Sequence, residues 1–210
     1  MNIEGLKNSM LFHEQKAKAD GYSLVVGIDE AGRGPLAGPV VAAAVYVSDF
    51  NFSCRIDDSK ILTASQREKA FDEIVSKCDF GIGLMTEVVI DEHNILQATF
   101  MAMKAAVVDL SAQISLADHK VCLLVDGNQF VSDLPYACRT IVGGDSQSFS
   151  IACASILAKV TRDRLLVEYD KVFPQYGFAR HKGYPTKSHK QAIAQHGLSP
   201  IHRRTFRHVA

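Results

Sequence analysis

The chain has 210 residues, 47% of them apolar and 22% charged, which excludes global disorder and suits one domain, or one domain with a modest extension. A globule of this length buries roughly 70% of the surface its extended chain exposes, enough for a core without staples. Residues 1–20 hold no apolar block, and the longest apolar run, Pro35 to Val47, is broken by Gly38 and Pro39. It also falls short of the ~20 residues of a membrane span, so neither export nor a membrane role is expected. Five cysteines (Cys54, Cys78, Cys122, Cys138 and Cys153) form no CxxC pair; their odd number fits a reduced compartment, and the setting expected is cytoplasmic.

Lys and Arg balance Asp and Glu at 23 each, but unevenly along the chain. Residues 1–150 carry 12 basic against 20 acidic side chains; residues 151–210 carry 11 against 3, with five of the eight histidines. An acidic front that holds metal ions and a basic tail that holds a polyanion would produce this split; so would two parts that simply attract each other.

In chain order, a first helix is expected over about residues 4–19, with Leu6, Met10 and Leu11 on one side, ended by Gly21. Leu24–Ile28 reads as a buried strand that stops at Asp29 and Glu30. AGRGPLAGP follows, too rich in Gly and Pro for a regular element, and Val40–Val47 is the returning strand. Thr63 and Gln66 have the spacing of a capping box, which places a helix over about 64–77. A strand over Phe80–Val89, a helix over 92–111 and a strand over Val121–Val125 come next, the last stopped by Asp126-Gly127-Asn128. After Thr140–Val142, Gly143 and Gly144 break the chain before Asp145, and a helix follows over about 146–169. Beyond Pro174 the sequence turns polar, basic and turn-rich, with a short helix near 187–195. Because the first two strands are joined by a loop and not by a crossover helix, a mixed sheet flanked by helices fits better than a doubly wound parallel one.

Three positions place carboxylates after an apolar strand or a glycine break: Asp29 with Glu30, then Asp126, then Asp145. Strand ends converge on one sheet edge, so these acids are candidates for one site. On an ideal strand Asp29 and Glu30 point to opposite faces, and both serve the site only if the strand ends there. Four close carboxylates repel one another and raise their own pKa values; a hard divalent cation, Mg²⁺ or Mn²⁺, removes the objection. The plainer alternatives are a helix N-cap for Asp145 and a turn residue for Asp126. Asp163, inside KVTRDR, ranks behind Asp145 because a salt-bridged helix surface explains it. His181 and His189 stand in the basic region, where either could assist a leaving group.

Gly32-Arg33-Gly34 invites a dinucleotide reading and fails it: the next glycine is Gly38, and a strand follows where the fingerprint needs a helix. Such glycines instead let backbone N–H groups approach a sugar–phosphate chain, with Arg33 near a phosphate or a 2′-hydroxyl. Tyr184, in HKGYPT, is placed to stack on a base or sugar. At this level an endonuclease, a noncatalytic nucleic-acid module and a nucleotide-metabolising enzyme with Mg²⁺ all stay open, the last separable by competition with free nucleotide.

Five ordered segments resemble the type 2 ribonucleases H, the ribonuclease HII family. They are GIDEAGRGPLAGPVVAAAVY at 27–46, DDSK at 57–60, LVDGN at 124–128, GGDSQSFSIACASILAKVTRDR at 143–164 and YGFARHKGYPTKSHKQAIAQHGLSPIHRRTF at 176–206. The resemblance implies an α/β fold: a ribonuclease H-like mixed five-stranded sheet flanked by helices, with a helical C-terminal extension. It divides the chain into a catalytic core over 1–170 and a basic substrate-binding extension over 171–210. Carried over by motif, Asp29, Glu30, Asp126 and Asp145 are the metal-binding acids, and Arg33, within the substrate-binding element Gly32-Arg33-Gly34, resembles the group that senses the 2′-hydroxyl. Tyr184 packs on the next deoxyribose. Lys60, Lys159, Arg162, Arg164, His181 and Lys182 lie in segments that contact or support the substrate. Cys153 stands where alanine is usual.

The activity implied is hydrolysis of RNA in RNA–DNA hybrids and incision 5′ to single ribonucleotides embedded in duplex DNA, by a monomer. The four acids suggest two divalent ions, one activating water and the other stabilising the departing 3′-oxygen.

Overall fold

The computed structural model describes residues 9–130 and 133–207. Five strands, β1 (Leu24–Ala31), β2 (Val40–Tyr46), β3 (Asp79–Met85), β4 (Val121–Asp126) and β5 (Ala137–Ile141), form one sheet in the order β3-β2-β1-β4-β5. β1 pairs antiparallel with β2 and parallel with β4; β5 runs parallel to β4, and β3 antiparallel to β2. The sheet is therefore mixed, as the loop between the first two strands requires. Central β1 is covered on both faces, which explains its unbroken apolar run.

Alternation along the strands divides the core. Val26 and Ile28, with Leu123 and Val125, face α3 (Glu87–Ser111), whereas Val25, Cys122 and Leu124 face α4 (Phe149–Val172). A second set, Ala43 and Val45, packs on α4 with Ala70 and Ile74 of α2 (Ala64–Lys77). Cys153 is wholly buried in this layer, and all five cysteines are free thiols. Gly27 permits the close approach of α4, since a Cβ there would stand 2.1 Å from the Ser150 carbonyl carbon.

Local chemistry sets the boundaries. The capping box forms: Thr63 Oγ1 accepts from the Gln66 amide at 3.3 Å, and Gln66 Oε1 accepts from the Thr63 amide at 2.9 Å. Three expectations need correction. β1 does not stop at Asp29; Glu30 and Ala31 still pair with Ala42 and Val41 of β2. The strand expected to reach Val89 ends at Met85, and Thr86 opens α3, which is broken at Asn94 (φ 65°). There Asn94 Oδ1 accepts from the Leu96 and Gln97 amides and caps the long second segment. The long C-terminal helix starts at Phe149, capped by Ser148, because Asp145 sits in a separate 3-10 turn, Gly144–Ser146. The first helix, α1, spans Phe12–Ala19; its expected start at residue 4, and Leu6, lie outside the described residues.

α4 continues past residue 170, so the expected boundary falls within its last turn. Two short helices follow, α5 (Phe178–His181) and α6 (Lys187–His196). The arm after α6 returns to the loop between β1 and β2. Gly38 donates to the Ile201 carbonyl at 2.8 Å, Arg203 donates to the Leu36 carbonyl at 2.9 Å, and Ala37 bridges to His202. Asp91 of α3 fixes the arm, accepting from the amides of Arg204 and Thr205. Among the described residues no helix is long and apolar enough to cross a membrane.

Candidate active site

Register assembles the acids. Parallel pairing sets Ile28 opposite Val125, so the next residues, Asp29 and Asp126, stand side by side where the pairing of β1 with β4 ends. Asp126 is level with Ile141 of β5, from which Gly143-Gly144 turns the chain back and delivers Asp145. One carboxylate oxygen from each of Asp29, Asp126 and Asp145 lies within 4.8 Å of the others. Asp126 Oδ1 accepts from the Gly144 amide at 2.7 Å, which locks the glycine turn to β4.

Burial shapes the electrostatics. Asp29 is 3% exposed, and its carboxyl is held well above the ordinary range, first by desolvation and then by the charges of Glu30 and Asp126. Asp126 is raised by desolvation and by Asp145, against the Gly144 amide bond. Lys60 Nζ donates to Asp145 Oδ2 at 2.8 Å. Burial works against its ammonium, but Asp145, Asp58 and Asp29 outweigh that and keep it firmly protonated. The donor set is oxygen only, partly buried and mutually repelling, and fits a hard divalent cation.

Glu30 adjoins the trio without joining it. β1 keeps its alternation through Ala31, and the Glu30 carboxyl interacts with that of Asp29 while its Oε1 meets Arg33 Nη1 at 3.3 Å. Its carboxyl is raised by desolvation, with Arg33 opposing. It still lines the cleft of about 260 Å³ that holds Asp29 and Asp126. Gly32, Arg33, Gly34, Lys60, Lys159 and Tyr184 line the same cleft, joined by Ser59 and Ser155, which sequence reading missed. Ser155 supports the Asp29 carboxyl and shares a 2.9 Å hydrogen bond with Ser59. Tyr184 is 42% exposed, beside the Lys159 ammonium, which stands 5.8 Å from its ring centre and pairs with Asp163.

Other candidates lie elsewhere. Arg164 covers Phe71 and pairs with Glu68 of α2, away from the acids. Lys182 Nζ donates to the Ala179 carbonyl and lines a separate groove with Arg164. Arg162 is buried and bonds the carbonyls of Ala37, Pro39 and Lys182. His181 and His189 do not line the cleft. His181 Nε2 meets the Tyr176 carbonyl at 2.8 Å and its Nδ1 accepts from Gly183. His189 bonds the Tyr184 carbonyl through Nδ1 and His202 through Nε2. Burial lowers both imidazoles, and His202 falls to about 4 with His189 as the second cause. These rings hold the Tyr184 turn in place.

A mixed five-stranded sheet with carboxylates gathered at adjacent strand ends defines a ribonuclease H-like protein, and known structures of that class superpose on it. Ribonuclease H2 from Pyrococcus horikoshii matches with a TM-score of 0.71 at 27% identity, over 89% of this chain and 95% of that one. An RNase HIII crystallised in complex with Mn²⁺ matches with a TM-score of 0.69 at 18% identity, over 92% and 70%. The family model for ribonuclease HII matches residues 26–209. Ribonuclease HII of Geobacter sulfurreducens is 53% identical over 197 residues (93% of this chain, 88% of that protein), and that of Acetivibrio thermocellus 52% over 198 (94% and 75%). The chain belongs to the ribonuclease HII family, and it is a type 2 ribonuclease H, an endonuclease.

Proposed function

We propose that the chain cleaves RNA within RNA–DNA hybrids and incises DNA duplexes 5′ to an embedded ribonucleotide, leaving 3′-hydroxyl and 5′-phosphate ends. The observation that carries this reading is the sharing of one cleft by Asp29 and Asp126 with Gly32-Arg33-Gly34 and Tyr184. Asp29, Asp126 and Asp145, with Glu30 in reach, would hold two divalent ions, Mg²⁺ or Mn²⁺, which when bound would supply activation of water and charge stabilisation at the departing 3′-oxygen. The Gly144 amide fixes the Asp126 carboxylate beside Asp29 and Asp145, where it would share in holding the ions. Lys60 offsets negative charge as the phosphate approaches Asp145. Arg33, half-exposed and tethered to Glu30, meets a phosphate at the cleft mouth.

Tyr184 and the glycine loop select the sugar. A Cβ on Gly34 would come within 3.6 Å of Tyr184 Cε1, an ordinary contact, so the glycine loop and the tyrosine ring adjoin and form one wall of the cleft for the sugar to rest against. Ribose against deoxyribose is then read by the 2′-hydroxyl, while phosphates supply affinity.

An end-labelled duplex with one ribonucleotide tests the reading, in each metal and in chelator. Single incision is expected 5′ to the ribonucleotide with Mg²⁺ or Mn²⁺, none with chelator or on all-DNA, and no loss of incision when free nucleotide is added as competitor. Asp126→Asn is expected to lower kcat by about 100-fold or more with duplex affinity little changed. Equal turnover of this variant in saturating Mg²⁺ overturns the assignment.

A further inference from the structure

Two arginines from distant parts of the chain lie beneath the loop between β1 and β2: Arg162 of α4, 1% exposed, and Arg203 of the C-terminal arm, wholly buried. Arginine ion pairs are made by Arg33, Arg55, Arg139 and Arg164; among the described residues Arg162 and Arg203 make none. Burial presses both toward neutrality, Arg162 to about 10 and Arg203 to about 9, the latter with Arg162's charge as the second cause. Two unpaired cations packed together are an expensive way to fill a core, and apolar side chains of similar volume would stabilise it better.

Their hydrogen bonds show what the arrangement achieves. Arg203 donates to the carbonyls of Gly32 (2.6 Å), Arg33 (3.1 Å), Pro35 (2.8 Å) and Gly38 (2.9 Å). Arg162 donates to Pro39 (2.9 Å), Ala37 (3.0 Å) and Lys182 (3.0 Å). In a trans peptide the N–H points opposite to the carbonyl of the same plane. Carbonyls of Gly32 and Arg33 drawn down to Arg203 therefore turn the amides of Arg33 and Gly34 up, toward the cleft. Neither amide donates a hydrogen bond among the described residues, whereas the Leu36 and Gly38 amides are tied to Gly183 and Ile201 at 2.8 Å each. Two adjacent donors are thus left over a buried positive charge, a setting that favours an oxygen acceptor. Gly32 belongs to the same device. At φ +103° it adopts a conformation suited to glycine, and a Cβ there would stand 2.1 Å from Arg162 Nε.

We propose that Arg203, with Arg162 beside it, is a positioning residue for sugar selection, aiming the Arg33 and Gly34 amides at the 2′-oxygen and adjoining phosphate of the ribonucleotide. This rests on the reading of the glycine loop given above and adds to it the residues that set the loop's orientation.

The test separates selection from folding. KM is measured for incision of a duplex with one ribonucleotide, and Ki for the matching all-DNA duplex as competitor, in wild type and Arg203→Lys. The lysine keeps the charge and loses the fork. Expected is a rise in KM of about tenfold, the scale of one or two misdirected hydrogen bonds, with Ki changed less than about twofold; Arg162→Lys moves the ratio in the same direction. An unchanged ratio, or KM and Ki rising in step with a falling Tm, makes Arg203 a packing residue and overturns the proposal. If Arg203→Lys does not fold, Arg162→Lys carries the same comparison, and failure of both to fold equally overturns it. A wild-type enzyme with KM equal to Ki would instead refute the loop reading itself.

Discussion

Asp29 is maintained at a cost to the fold. Its carboxyl is buried and raised above the usual range by desolvation first and by Glu30 and Asp126 next. A carboxyl with a higher pKa folded than unfolded binds more protons in the native state, so metal-free stability falls as pH rises above about 4, the unfolded carboxyl range. Asp29→Asn removes that penalty. In chelator its Tm is expected to exceed wild type by a few degrees at pH 8, the gap closing toward pH 4, while activity is lost; a scan of Tm against pH checks this. Sequence reading located Asp29, Asp126 and Asp145 because each follows an apolar run or glycine break, a signal carried by neighbours in the chain. It set Glu30 beside Asp29 in the site on the expectation that the strand ends there, whereas β1 runs on to Ala31. Ser155, Ser59 and Arg203 left no such trace. A serine in a helix and an arginine in SPIHRRTF both read as surface, and what makes them matter is a partner about a hundred or more residues away.

Between elements, the join of α1 to α4 is the clearest example of structure invisible to periodicity. Glu14 is 2% exposed, and its Oε1 accepts from Ser148 Oγ at 2.6 Å, from the Ser150 amide at 3.0 Å and from Ser150 Oγ at 2.8 Å. A carboxylate at the first turn of a helix is favoured by the exposed amides there. Here it docks α1 onto the start of α4, just after Asp145. Glu14→Ala removes a charge-assisted set and leaves buried hydroxyls unpaired, a loss of about 2–4 kcal/mol. Thermal melting is expected to show a Tm lower by about 5–12 °C. The capping box at Thr63 was legible because both partners lie within four residues. The break at Asn94 had a comparable local sign, an asparagine ahead of a helical run, masked by the apolar VVI that precedes it and suggests a strand.

For the molecule as a whole, the division of charge acquires a finer meaning. Of the eleven basic residues after 150, Arg162 and Arg203 are buried under the glycine loop, and Arg164 and Lys171 pair with Glu68 and Glu168. Lys187 and Lys190 of α6 are exposed and available to phosphates. Lys187→Gln with Lys190→Gln is expected to weaken hybrid and all-DNA binding alike and to lower the salt slope of log K by about 1–2, with kcat unchanged; binding titrations at several salt concentrations measure it. The mixed sheet has another consequence, through the order in which the chain folds. β1 and β4 pair across almost a hundred residues, Ile28 opposite Val125, and only that pairing brings Asp29 to Asp126. Such non-local contacts form late because the intervening loop must first be closed. A nascent or half-folded molecule therefore lacks the acid cage, and cations that bound only the finished one would act as a brake on unfolding, leaving the rate of folding nearly untouched.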